Sequence, residues 1–177
     1  LEVLGTEIEL AGRAYFDIAD GRGPYVVRAR GAVVRDIGTR FDVRAYRNEP
    51  MRVVVLEGAV ELSLAATTVS LDSGDVGVID ESGHVSVARD AAGPVDTGWL
   101  RGHLMFRDAS LAEVAADLRR WYGVELRIAD SALRGRRFTG TLEAEPAARV
   151  LDIIALALGG RVERRGDTAF VIQSEPR

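Results

Sequence analysis

"RFDVRAYRNEPMRVVVLEGAVELSL", Arg40 to Leu64, is the stretch on which the fold class turns. Phe41, Val43 and Ala45 alternate with Asp42 and Arg44, the period of two expected of a strand with one face on a core. Asn48, Glu49 and Pro50 break the run, because proline has no backbone donor and a fixed φ. Val53, Val54 and Val55 then resume the β-branched pattern, and Glu57-Gly58 reads as the reversal of a hairpin that joins "VVVLE" to "AVEL".

Outward from this stretch the grammar stays β. "RAYFDIA", "PYVVRAR", "AVVRDI", "TTVSLD", "VGVID" and "HVSVAR" are short β-branched or aromatic runs, parted by turn formers such as "DGRGP", "DSGD" and "ESGH". Many short strands with regular turns predict an antiparallel barrel, sandwich or curled sheet over residues 1–95. "AAGPVDTG", Ala91 to Gly98, has no periodicity and reads as a linker.

Beyond the linker, residues 99–174 predict a small α+β module with two helices, near 110–122 and 146–158. Ser110 with Glu113 forms a capping box, Leu111, Val114, Ala115, Leu118 and Tyr122 share one helical face, and Gly123 suits a left-handed stop. Pro146 opens a second helix with Val150, Leu151, Ile154, Ala155 and Leu158 on its buried face. "VELRIA" and "RFTGTLEA" are strands, and "RVERR" with "AFVIQ" forms a hairpin across Gly166-Asp167. Trp99, Phe106 and Trp121 are expected in the core.

Composition excludes several classes of function. A formal charge of −4 with both signs scattered provides no nucleic-acid surface, and every basic residue is arginine, so no lysine nucleophile exists. Without cysteine there is no disulfide, thiolate chemistry or Cys-based metal site. His84 and His103 are too isolated to suggest a metal site, no phosphate-binding glycine loop occurs, and no carboxylate pair is marked out as general acid and base. The expectation is a protein with no cofactor, no metal and no small-molecule substrate. Arg134, Arg136 and Arg137 form a small solvated basic cluster. No apolar run is long enough to cross a bilayer, and the abrupt start in strand-like sequence suggests a piece of a longer protein.

Gly38-Thr39, at the head of the quoted strand, has two readings. Glycine reaches positive φ at a turn or bulge, and threonine is a strand former. Equally, the pair sets a hydroxyl one residue after an unhindered carbonyl, as a self-cleaving peptide bond requires. Asp36 and Asp42 are near in the chain, but sequence does not name either as a base.

"WLRGHLMFRDASLAEVAADLRRWYG", Trp99 to Gly123, resembles the W-x-x-G-x-L-x-F…L-x-E-V-x-x-x-L-x-R segment of FecR-like regulators. Trp99, Gly102, Leu104, Phe106, Leu111, Glu113, Val114, Leu118 and Arg120 fill the pattern. "GRAYFDIA", "IGTRFDVRAY" and "VVVLEGAVEL" resemble three further blocks in the family order. The resemblance implies the periplasmic part of a single-pass inner-membrane regulator (anti-sigma factor) of an extracytoplasmic-function sigma factor. It would comprise a β-rich FecR domain lacking its first strands and a module similar to the short N-terminal signalling domain of secretins and TonB-dependent receptors. The implied partner is the signalling domain of an outer-membrane TonB-dependent transducer, relaying a siderophore and iron-uptake signal. The sigma factor would be met only through a cytoplasmic part absent here. Some members of the family are cut at a Gly-Thr bond, for which Gly38-Thr39 is the matching place. A structural, envelope-anchoring β module without signalling is the alternative, and a small hydrolase a third.

For partner binding, strand edges are ready to pair with another chain. "VELRIA" and "RFTGTL" are the strands expected at such edges, which makes Leu126, Ile128 and Phe138 the candidate contacts. On that view Leu126→Arg or Phe138→Arg would weaken binding while leaving the fold intact.

Overall fold

In the computed structural model the valine-rich stretch is divided between two sheets and does not fold back on itself. The residues described are 2–4, 6–18, 24–36, 38–143, 145–165 and 169–174; the expected turns at Asp20 to Gly23 and Gly166-Asp167 lie outside them. The first sheet runs in the order β1 (Glu2–Leu4), β2 (Glu7–Glu9), β4 (Val26–Ala29), β5 (Ala32–Asp36), β8 (Ala59–Leu64) and β9 (Thr67–Asp72). The second runs β11 (Val85–Ala88), β10 (Val76–Ile79), β7 (Met51–Glu57), β6 (Arg40–Ala45) and β3 (Gly12–Asp17). Neighbouring strands are antiparallel except β2 and β4, which are parallel.

The hairpin expected at Glu57-Gly58 is therefore corrected. β7 pairs with β6 and β10, β8 pairs with β5 and β9, and the chain crosses between sheets at Gly58. The reason is burial. Met51, Val53 and Val55 of β7 and Val60 and Leu62 of β8 join one core, and facing layers cover them as a single hairpin layer could not. Phe16 and Phe41 stack within that core at 4.9 Å between centroids. At Gly77 of β10 an added Cβ would lie 2.7 Å from Leu71 Cδ1 and 2.8 Å from Leu62 Cδ2, so glycine lets the leucines of one sheet press on the backbone of the other.

The outer face of the second sheet is covered too, which corrects the linker. Ala92 N donates to the Gly74 carbonyl at 2.9 Å, and residues Pro94–Thr97 form a helical turn, α1. Asp96 is buried there; its Oδ1 accepts from Arg52 Nε at 2.9 Å, its Oδ2 from Gly93 N, and its carbonyl from Arg13. Arg13 also pairs with the buried Asp42 of β6, Nε to Oδ1 at 3.0 Å. Two compact units result, Leu1–Asp96 and Thr97–Arg177.

In the second unit a 3-10 turn, Gly98–Arg101, leads to β12 (Leu104–Ser110), α2 (Leu111–Tyr122), β13 (Glu125–Ile128), α3 (Ser131–Arg134), β14 (Arg137–Leu142), α4 (Ala147–Ala157), β15 (Gly160–Arg164) and β16 (Ala169–Ser174). β12 and β14 make a two-stranded antiparallel sheet; β13, β16 and β15 make another, with β13 parallel to β16. The caps are those the sequence predicts. Glu113 N donates to Ser110 Oγ at 3.2 Å, Ser110 N donates to Glu113 Oε2 at 2.7 Å, and Gly123 takes φ 66. Val150, Leu151, Ile154, Ala155 and Leu158 are all buried. Phe106 is a core residue, Trp99 is half-buried, and Trp121, expected inside, is 42% exposed on the outer side of α2. The arginine cluster is partly structural, since Arg136 donates to the Leu158 carbonyl at 2.9 Å and so helps to cap α4.

Candidate functional site

Where β5 gives way to β6, the chain turns through Gly38 and buries the Thr39 side chain. Gly38 adopts φ 82, a left-handed angle that glycine takes at no steric cost. Thr39 is 2% exposed and Asp36 1%. The Thr39 hydroxyl donates to Asp36 Oδ1. Two backbone bonds fix the ends of this turn, Asp36 N to the Tyr25 carbonyl at 2.9 Å and Ile18 N to the Thr39 carbonyl at 3.1 Å. Of the two nearby aspartates, then, Asp36 reaches the hydroxyl while Asp42 is committed to Arg13.

Gly58, at the crossing between sheets, lies directly over the Gly38-Thr39 bond. A Cβ there would stand 2.4 Å from the Gly38 carbonyl oxygen, 2.6 Å from Thr39 Cγ2 and 3.3 Å from the Gly38 carbonyl carbon, and Gly58 itself has φ 80. No side chain fits. The "E-G" pair, which sequence reads as a turn, is thus the close-packed roof of the "G-T" pair. Beside it Arg40 spans the site's rim, with Nε 3.2 Å from Asp17 Oδ1 and Nη1 2.9 Å from Glu57 Oε2. The Asp17 hydrogen bond, then the charges of Asp17 and Glu57, raise the Arg40 pKa.

The candidate partner residues of the second unit are placed differently from one another. Leu126 and Phe138 are buried, Phe138 edge-on to Phe106 at 5.7 Å between centroids, while Ile128 is half-buried. Both strands do lie at sheet edges, β13 at the end of its sheet and β14 in a two-stranded one. The expectation that Leu126→Arg or Phe138→Arg would spare the fold is corrected, because an edge strand still turns alternate side chains inward. The outward residues are Glu125 and Arg127 on β13 and Arg137, Thr139 and Thr141 on β14. Sequence reasoning also missed the outer side of α4, where Ile153 and Leu156 are exposed, Leu156 by 80%. The signal was two apolar residues off the buried stripe.

Among the described residues no cluster of His, Asp and Glu could hold a metal ion, and no helix is long and apolar enough to cross a membrane. His84 is exposed on a turn whose amides donate to Asp80.

Both parts of this arrangement, the two-sheet unit and the small α+β module, are matched by family models. The FecR protein model matches residues 5–61 and the FecR C-terminal model residues 103–171. A crystal structure of a candidate anti-sigma factor from Parabacteroides distasonis, at 1.65 Å, is 26% identical with a TM-score of 0.81, covering 99% of this chain and 84% of that one. A second, at 2.50 Å and 25% identical, has the same TM-score and coverage. No curated protein matches the chain. The chain belongs to the FecR-like anti-sigma regulators.

Proposed function

We propose that these residues are the periplasmic, signal-receiving part of a membrane-anchored FecR-like regulator. The second unit takes the signalling domain of an outer-membrane TonB-dependent transducer and relays a siderophore and iron-uptake signal; the sigma factor is met by another part of the protein. What supports the reading beyond family is the surface of the second unit. It combines open strand edges at β13 and β14 with exposed apolar side chains, Leu156, Ile153 and Trp121, which a monomer gains nothing by displaying. Calorimetry against the signalling domain of the genomically adjacent transducer should give a Kd of about 1 μM or tighter, about −8 kcal/mol. Leu156→Asp and Arg127→Glu, both on the surface, should weaken it at least roughly tenfold, about 1.4 kcal/mol. Absence of binding heat with folded partners overturns the transducer reading.

The same protein also cuts itself at Gly38-Thr39. The buried Thr39 hydroxyl, tethered beside a glycyl carbonyl that Gly58 covers, favours this over a plain turn. Intact mass spectrometry of the full-length protein should find two fragments, one with Thr39 as its N-terminus. Thr39→Ala should stay whole.

A further inference from the structure

We infer that Asp36 is the general base of that self-cleavage, an inference resting on the cleavage reading just given. Three observations converge on it. Asp36 Oδ1 accepts the hydrogen bond of the Thr39 hydroxyl, the group that must lose a proton. Both side chains are buried, which holds the Asp36 carboxylate and the Thr39 hydroxyl against each other. The other nearby carboxylate, Asp42, is engaged by Arg13 on β3, Nε to Oδ1 at 3.0 Å.

The chemistry balances with water alone. Asp36 Oδ1 takes the hydroxyl proton as Thr39 Oγ1 bonds to the Gly38 carbonyl carbon through a five-membered ring. The C–N bond then breaks, and the proton passes to the departing Thr39 nitrogen, leaving an amine and a Gly38-to-Thr39 ester. Water hydrolyses the ester to the Gly38 carboxylate and restores the Thr39 hydroxyl. A positioned base contributes about 10²–10⁴-fold to such a step.

The turn explanation for the same hydrogen bond is separable from this one. Asparagine at 36 keeps an acceptor for Thr39 but cannot take its proton. A cysteine at 39, with a pKa of about 8.5, forms its own nucleophile and needs less help. Full-length Asp36→Asn should therefore cleave at least ~100-fold more slowly than wild type, with an unchanged melting temperature. In a Thr39→Cys background the same Asp36→Asn change should cost less than ~10-fold. Should Asp36→Asn fail to fold, wild-type cleavage in heavy water supplies the reading: a clear slowing, diminished in Thr39→Cys, supports proton transfer from the hydroxyl, and equal rates in both solvents overturn it. Asp36→Asn cleaving at the wild-type rate while Thr39→Ala stays whole overturns the base and leaves self-cleavage standing. An equal penalty in both nucleophile backgrounds also overturns the base and makes Asp36 a turn former. Wild type that stays whole, or Thr39→Ala that is still cut, overturns self-cleavage and the base with it.

Discussion

The two units bury their cores in opposite ways, and the difference separates what each can do. The first sets two long sheets face to face and covers the outer side of the second with the segment that ends at Asp96, so polar groups such as Asp36, Thr39, Asp42 and Asp96 lie inside. A buried hydroxyl with a fixed partner is possible only in such a place. The second unit lays its two longer helices, α2 and α4, on a two-stranded and a three-stranded sheet, which leaves strand edges and apolar side chains outside. One unit is built to hold a group away from water, the other to offer surface.

The sharpest way to break this contrast is at Phe138, the candidate contact that proves to be core. Phe138→Ala should cost about 3–5 kcal/mol, the range for deleting a buried aromatic ring. Both tryptophans, Trp99 and Trp121, lie in the second unit, so their fluorescence should report its melting alone. An unchanged fluorescence transition would return Phe138 to the surface. Next in size is Gly58→Ala, at about 2–4 kcal/mol, since a methyl group must find room against the Gly38 carbonyl and the residue must keep a positive φ. Its loss should appear in the β signal of circular dichroism, with the tryptophan transition in place.

The smallest effect concerns the acid limb. Asp75 is buried in the first unit, where Asp72 N donates to Oδ2 at 2.9 Å, Arg89 donates to the same oxygen and Asp90 N donates to Oδ1 at 3.2 Å. The Asp72 amide first, and then Arg89 and the Asp90 amide, hold its pKa below the usual carboxylate value against the opposing effect of burial. A depressed folded pKa means stability that is present above the unfolded value of about 3.9 and lost as pH falls through the folded one. Asp75→Asn should thus cost about 1–2 kcal/mol at neutral pH and flatten the decline of stability below about pH 4. Denaturant titrations of both proteins at neutral pH and near pH 3 check the sign. A parallel decline in wild type and variant would remove Asp75 from the account.

Features set by neighbours in the chain are legible without the structure. Ser110 and Glu113 cap α2 across a single turn, Gly123 stops it, and the apolar spacing of Val150 to Leu158 marks the buried side of α4; each is a contact between residues three or four apart, so the chain carries it alone. The strands and even the Gly38-Thr39 pair were visible for the same reason. Which strand lies beside which depends instead on long-range packing. "VVVLEGAVEL" has every local mark of a hairpin, yet the gain from burying Val53, Val55, Val60 and Leu62 between two layers outweighs the pairing of neighbours. That crossing brings Gly58 over Gly38, and no periodicity in the sequence reports a contact between two separated glycines. Leu126 and Phe138 illustrate the same limit: a period of two shows that a strand has two faces, but only the packed core shows which of them meets water.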